Sequence, residues 1–279
     1  MEQSVSQANG MLISVITPTF NSEKTIERNV RSITGQTYKH FEHIIVDNDS
    51  KDNTINIINK VYAEIKLEDK LKILTGRDNG IADAFNKGIN KAEGEIITIL
   101  NSDDEYYRDN VFEEAVSAFE NDKVLMVHGN VYFYDPVHGS NVRFPVADKA
   151  TGGIQFIHPT MFFRKEVYEN LGLYNDGYRF SMDYEYYCRL AKKFKDLDKK
   201  VFYIKDKPIV RMKAGGASWK NELKSIEEIK KALVEHGFWN KSGKNFYTAR
   251  KRRTLIKKYF TKLHLNFLVK IWRIIKYGN

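Results

Sequence analysis

The chain has 279 residues, 42% of them hydrophobic, enough for one large α/β domain or a domain of about 200 residues with an appendage. Its net charge of +9 is uneven: Lys220 to Asn279 carries 16 Lys and Arg against 4 Asp and Glu, which leaves residues 1–219 at −3, argues against nucleic-acid binding by the main part and sets the tail apart. A single cysteine, Cys188, excludes an internal disulfide and points to a reducing cytosol, while the polar stretch Met1 to Gly10 and the lack of any uncharged apolar run of about 18 residues predict neither a secretory leader nor a membrane span.

In chain order, Leu12 to Thr17 reads as a first strand that ends at Pro18, which cannot donate to a ladder. A helix follows, capped by Asn21 or Ser22, with Glu23 in its first turn and Ile26, Val30 and Ile33 on one face. Phe41 to Val46 gives a second strand with Asp47-Asn48-Asp49-Ser50 at its tip, then a helix through Ile55, Ile58 and Tyr62. Leu71 to Thr75 is a third strand and Asp83 to Ala92 a helix. Ile96 to Leu100, an apolar run rich in β-branched residues, reads as a central strand buried on both faces, and it stops abruptly at Asn101-Ser102-Asp103-Asp104. Strands alternating with helices predict a Rossmann-like, mostly parallel sheet with right-handed crossovers and flanking helices.

Ligands of open α/β sheets sit outside the carboxyl ends of the strands, so the polar tips at Thr17-Pro18, Asp47-Asn48 and Asn101 to Asp104 should converge on one edge. Adjacent carboxylates repel, so Asp103 and Asp104 either hold a hard cation, Mg²⁺ or Mn²⁺ with a phosphate, or cap the helix that begins near Asp109. Further on, Val124 to Val131 reads as a strand, Pro136 to Thr151 as a polar connection, Phe156 to Phe163 as an apolar run interrupted by His158, and Leu173 to Phe180 as a loop. A helix from Ser181 to about Phe194 starts with Asp183 and Glu185, which either oppose the helix dipole or do chemistry.

Thr17-Pro18-Thr19-Phe20-Asn21, Val46 to Thr54, Asp78 to Gly88, Leu100 to Asp104 and Asp183-Tyr184-Glu185, in that order and spacing, resemble the family 2 glycosyltransferases with a GT-A fold, and within them the bacterial surface-polysaccharide and O-antigen enzymes. The resemblance covers roughly residues 11–215. It implies a nucleotide-sugar donor lying across the strand tips, with Thr17, Pro18 and Phe20 bordering the base and Asp47 accepting a hydrogen bond from it. It places Asp78, Gly80, Asn86 and Lys87 in the segment that closes over the nucleotide, with Lys87 toward the diphosphate. Asp103 matches the metal ligand of the family's acidic motif; Asn101 stands where many members have its first Asp, so Asp103 and Asp104 are left to hold Mn²⁺ or Mg²⁺ with diphosphate oxygens and water. Asp183 matches the catalytic base of an inverting transfer, and Glu185 is then a positioning group.

The implied reaction moves a hexose or N-acetylhexosamine, UDP-linked by preference, to a polyprenyl-diphosphate-linked saccharide. A dehydrogenase would need a glycine-rich turn after the first strand, and Thr17 to Ser22 has no glycine. The alternative of another class is a non-catalytic nucleotide-sugar or saccharide-binding module, against which the carboxylates at both the metal and base positions argue. The predicted division is a catalytic domain over residues 11–219 and a basic helical tail over 220–279. From Lys241 to Asn279 there are 12 Lys and Arg and no Asp or Glu. A helix there aligns Ile256, Tyr259, Phe260, Leu263, Phe267, Ile271 and Ile274 on one stripe, with Lys258, Lys262, Arg273 and Lys276 opposite and Trp272 on the flank. That pattern fits peripheral attachment to an anionic membrane on the cytoplasmic face, or a stripe packed on the domain with its cations in solvent.

Overall fold

A computed structural model describes residues 10–135, 139–263 and 267 of the chain. The first half alternates strictly: β1 (Ile13–Thr19), α1 (Ile26–Thr34), β2 (Phe41–Asp47), α2 (Thr54–Ile65), β3 (Leu71–Thr75), α3 (Ile81–Lys91) and β4 (Ile96–Ile99). β1 pairs in parallel with β2 and β4, and β2 with β3, so that Thr19, Asp47 and Thr75 lie in one row and the loops that follow leave by one edge. β2 and β4 are buried at every position, as expected of strands covered on both faces. α3 crosses close over β1: a side chain at Gly88 would overlap Ile16, so only glycine permits that approach.

The second half is less regular. β5 (Glu105–Tyr106), α4 (Val111–Phe119), β6 (Met126–Tyr134), β7 (Asn141–Arg143), β8 (Val146–Ala147), β9 (Ile154–Gln155), β10 (Phe162–Arg164), α5 (Lys165–Leu171), α6 (Met182–Lys193), β11 (Val201–Lys213), α7 (Ala217–Lys220), α8 (Glu222–Glu235) and α9 (Lys241–Lys262) follow. The main sheet runs β3-β2-β1-β4-β10-β6-β11-β5, with β7 on β6, and β8 and β9 form a separate ribbon. β10 is the departure from the parallel rule: it lies antiparallel between β4 and β6. Three residues suffice because Phe162 and Phe163 point to opposite faces and each fills a core there. The stretch expected to be a polar connection contains β7 and β8 instead.

One core lies between the sheet and α3, α5, α6 and α8, and another beneath α4. α8 packs on α6 through Ile226, Ile229 and Leu233, all buried. α9 then packs on α8 with Gly243, Phe246, Arg250 and Thr254 turned inward, while Leu255, Ile256, Tyr259, Leu263 and Phe267 are exposed. No helix among the described residues is long and apolar enough to cross a membrane. Of the stripe expected from the sequence, Ile271, Trp272, Arg273, Ile274 and Lys276 lie outside the described residues.

Candidate active site

The site is built on the edge where β1, β2 and β4 end. After β1 and β2 the chain turns through Asn21 and Asp49 at positive φ, 48° and 57°, a conformation that short polar side chains tolerate. The two loops are laced together: Ser50 Oγ accepts from the Asn21 amide at 2.9 Å, and the Lys51 amide donates to Asn21 Oδ1 at 2.9 Å. Asp47 is 1% exposed and is held by the Ser50 amide and hydroxyl at 3.0 and 2.5 Å. Thr17 is buried and its hydroxyl pairs with His43, so it bounds the site through its backbone; Pro18 is half-buried and Phe20, 56% exposed, stands at the rim.

Asp78 is joined to this group by its amide, which donates to Asn48 Oδ1, and its carboxylate accepts from the Gly80 amide, both at 2.9 Å. Burial raises the Asp78 pKa, with Asp83 and Asp47 adding to the rise. Gly80 sits at φ +133° at the start of α3, where a side chain would be strained. Lys87 reaches back along α3 to Asp83 at 3.1 Å and to the Arg77 carbonyl at 2.7 Å, so it closes the 77–83 loop upon itself. Asn86 exchanges hydrogen bonds with the backbone of Tyr174 at 2.8 and 2.9 Å and anchors the 172–180 loop over α3.

At the β4 tip the two aspartates differ. Asp104 is 2% exposed, its Oδ2 accepts from Asn101 at 3.3 Å, and burial next to Asp103 raises its pKa well above the usual carboxylate range. Asn29 fixes the turn by donating to the carbonyls of Asn101 and Asp104 at 2.9 and 3.0 Å. Asp103 is half-buried; burial raises its pKa, and Lys213 and Lys220 oppose that rise. Both lysines belong to the strap from the end of β11 through α7, and within it a Cβ on Gly216 would lie 3.9 Å from Asp103 Oδ2. No cluster of three or more His, Cys, Asp or Glu able to hold a metal exists among the described residues. A hard cation here would take one or two protein carboxylates and draw its other oxygens from a bound diphosphate and water. That is the usual habit of Mg²⁺, and the half-buried Asp103 carboxylate fits it, while Lys213 and Lys220 suit the diphosphate that would come with the ion.

The same strap leads to Asp183. Ser218 of α7 donates to the Phe180 carbonyl at 3.0 Å and, with Asp183, His158, Tyr184, Ser225 and Arg250, lines a cavity of about 120 Å³. Asp183 begins α6, and its Oδ1 accepts from the Tyr184 amide at 2.8 Å. His158 stacks on Phe85 with ring centroids 5.1 Å apart, and burial lowers its pKa while Asp183 works the other way. Glu185 turns away from the cavity into a buried network, with Arg189 Nε and His236 Nε2 each 2.9 Å from its Oε1. The structure therefore gathers Thr17, Pro18, Phe20, Asp47, Asp78 and Gly80 along one edge, puts Asp103 under the strap and opens Asp183 on the cavity beside it. The sequence reading did not pick out Lys213, Lys220, Ser218 or Arg250. For Arg250 the signal was a stripe of Gly243, Phe246, Arg250 and Thr254 at helical spacing, on the face opposite the apolar stripe read from the tail.

A parallel first half whose strand tips open on one edge, an antiparallel strand beside β4 and an acidic tip under a C-terminal strap are the arrangement of the GT-A fold. The chain belongs to glycosyl transferase family 2, whose model matches residues 14–186. It is 30% identical over 182 residues to a PGL/p-HBAD biosynthesis glycosyltransferase of Mycobacterium bovis, covering 64% of this chain and 69% of that protein. An uncharacterized glycosyltransferase of Haemophilus influenzae is 30% identical over 155 residues, 55% of this chain, and the match spans only 60% of that protein's length. The teichuronic acid biosynthesis glycosyltransferase TuaG of Bacillus subtilis, so named putatively, is 36% identical over 110 residues, 39% of this chain and 42% of its own. Among solved structures, S. aureus TarS 1-349 with UDP-GlcNAc superposes with a TM-score of 0.64 at 19% identity, covering 81% of this chain and 65% of that one. The mannosyltransferase PcManGT of Pyrobaculum calidifontis with GDP-Man and Mn²⁺ gives 0.61 at 19%, covering 86% and 68%. At such identities the likeness establishes the fold.

Proposed function

We propose that the protein transfers a hexose or N-acetylhexosamine, with inversion, from a UDP-linked donor to a polyprenyl-diphosphate-linked saccharide during surface-polysaccharide synthesis of the O-antigen kind. The observation that carries this reading is the placement of Asp183 on a cavity lined also by Ser218, in the same strap whose Gly216 lies against Asp103. The nucleotide lies along Thr17, Pro18, Phe20 and Asp47, with Asp78, Gly80, Asn86 and Lys87 forming the wall that closes over it. Asp103 holds the Mn²⁺ or Mg²⁺, and Asp104 stands behind it as a buried support. When bound, the cation supplies charge for the departing nucleoside diphosphate. Asp183 accepts the proton of the acceptor hydroxyl as that oxygen attacks the anomeric carbon; one base is sufficient, so no second carboxylate is needed. Relatives named for PGL/p-HBAD and teichuronic acid biosynthesis and neighbours bound to UDP-GlcNAc or GDP-Man with Mn²⁺ support this reading. The exposed apolar and basic face of α9 supports attachment to the inner face of the cell membrane, where such an acceptor is found.

The test is release of free nucleoside diphosphate from a panel of UDP- and GDP-sugars, with Mn²⁺ and a membrane lipid extract as the acceptor source. Acceptor-dependent UDP release is expected. Donor binding without release under any of these conditions would leave the binding-module alternative.

A further inference from the structure

The cavity that holds Asp183 contains a cation contributed from far along the chain. Arg250, in the middle of α9, lines it together with Asp183, Ser218 and Ser225. α9 is pinned in register to deliver it: Asn240 caps the helix by accepting from the Gly243 amide at 3.1 Å, Phe246 stacks on Tyr184 with centroids 6.0 Å apart, and Thr254 donates to Glu222 at 3.0 Å. Among the described residues, no carboxylate or carbonyl hydrogen-bonds the Arg250 guanidinium, although Asp183 and Glu222 act on it through space. A half-buried guanidinium on the wall of this cavity, with no acceptor among the described residues on its five donors, is poised for an anion that arrives with a ligand, and its planar fork suits a phosphate or carboxylate held by two hydrogen bonds.

Arg250 shares its cavity with Asp183, the base side of the site, and not with the carboxylates of the β4 tip. Lys213 and Lys220 act on the Asp103 carboxylate, whereas Asp183, Tyr184, Glu222 and Arg253 act on Arg250. The cationic groups are thus divided between the leaving-group side and the base side of the site.

We propose that Arg250 binds an anionic substituent of the acceptor, carried on the same sugar as the hydroxyl that Asp183 deprotonates. The inference rests on the glycosyltransferase reading and narrows its acceptor. Both groups border one small cavity, so a single sugar residue bridges them. A phosphate at the anomeric carbon of that sugar is the chemistry a lipid-diphosphate acceptor presents when only one sugar has been added. A uronic acid carboxylate is the other source of the same charge. The product must then be consumed by a transferase that extends a disaccharide, and the substrate supplied by one that loads the first sugar phosphate onto the lipid.

The test is binding, by calorimetry, of glucose 1-phosphate, N-acetylglucosamine 1-phosphate and glucuronic acid, against glucose and N-acetylglucosamine, to the full chain saturated with UDP and Mn²⁺. The glycosyl phosphates should bind at least about tenfold more tightly than the neutral sugars, the scale of a charge-assisted bidentate contact. Arg250→Gln should abolish that preference, Arg250→Lys should keep part of it, and both should bind UDP with Mn²⁺ as the parent does, which also shows that they are folded. A preference for glucuronic acid that Arg250→Gln removes supports the anion site with the carboxylate as its source. Equal binding of charged and neutral sugars, or a preference that survives Arg250→Gln, overturns the proposal, as does a loss of UDP affinity matching the loss of sugar phosphate. If the parent chain binds neither UDP nor GDP with Mn²⁺, the glycosyltransferase reading fails instead.

Discussion

Asp183 and Glu185 are two residues apart, and on a helix that separates their side chains by roughly 200°. One therefore opens on the cavity, while the other is locked between Arg189 and His236. Their replacement by the isosteric amide should split accordingly. Asp183→Asn should lower turnover at least about a hundredfold with nucleotide affinity little changed, the scale of losing a general base; a collapse of nucleotide affinity would make Asp183 a binding residue. Glu185→Gln should instead cost about 3 kcal/mol of stability, because Arg189 would be left buried without its counterion, while folded molecules keep most of their turnover. Chemical denaturation and steady-state rates on the same samples separate the two. At the β4 tip, Asp103→Ala and EDTA should each abolish nucleotide release while the melting curve stays cooperative. Full turnover in EDTA would remove the cation from the scheme. Asp103 and Asp104 stood out in the sequence because a continuous apolar run stops at them, whereas the roles given to Asp183 and Glu185 came from the resemblance alone.

Between β1, β2 and α2, His43 is completely buried, with Nε2 2.9 Å from the Thr17 hydroxyl and Nδ1 2.7 Å from that of Tyr62. A neutral imidazole satisfies both by donating to one hydroxyl and accepting from the other, whereas a charged ring would have only donors. Burial lowers its pKa to about 3, against about 6.5 in the unfolded chain. The folded pKa is the lower one, so the stability of this junction is intact above pH 6.5 and is lost as the pH falls toward 3. The slope is at most about 1.4 kcal/mol per pH unit. Urea unfolding at intervals from pH 7.5 to 4.5 should show that decline, and His43→Gln should flatten it; an unchanged slope would place the titration elsewhere. This first half could be read from the sequence, since strands buried on both faces appear as apolar runs and strong turn residues separate them from amphipathic helices. The second half resisted for physical reasons. β10 is only three residues long and antiparallel, so an apolar run around Phe162 carries no period. β11 is irregular between Ile204 and Pro208, where Lys205, Asp206 and Lys207 are exposed, and neither alternation nor continuous apolarity survives there. The strap over Asp103 depends on that strand's register, and so does the placement of Lys213.

Over the whole molecule, α9 joins two environments. Its inward face, with Phe246, Arg250 and Thr254, completes the cavity, and the opposite face presents Leu255, Ile256, Tyr259 and Leu263, each at least 45% exposed, with Lys258 and Lys262 along one flank. An exposed apolar strip beside cations is the arrangement of a helix that lies in a membrane interface, and each cation near an anionic leaflet contributes about 1 kcal/mol. On the function proposed above, an enzyme held this way would meet a lipid-linked acceptor by search in two dimensions, with Arg250 and the Asp183 cavity on the inward face of the same helix. Full-length protein should float with phosphatidylglycerol vesicles, be released as salt rises, and remain behind with phosphatidylcholine alone. The triple replacement Ile256→Ser, Tyr259→Ser and Leu263→Ser should abolish flotation. Because those side chains are about half exposed or more, with the Tyr259 ring meeting that of Phe260 on the same helix, each change should alter stability by no more than about 0.5 kcal/mol, and UDP affinity should not move. Flotation of the triple variant at the parent level, or equal flotation of the parent with neutral vesicles, would mean that this face does not seat the enzyme on an anionic membrane.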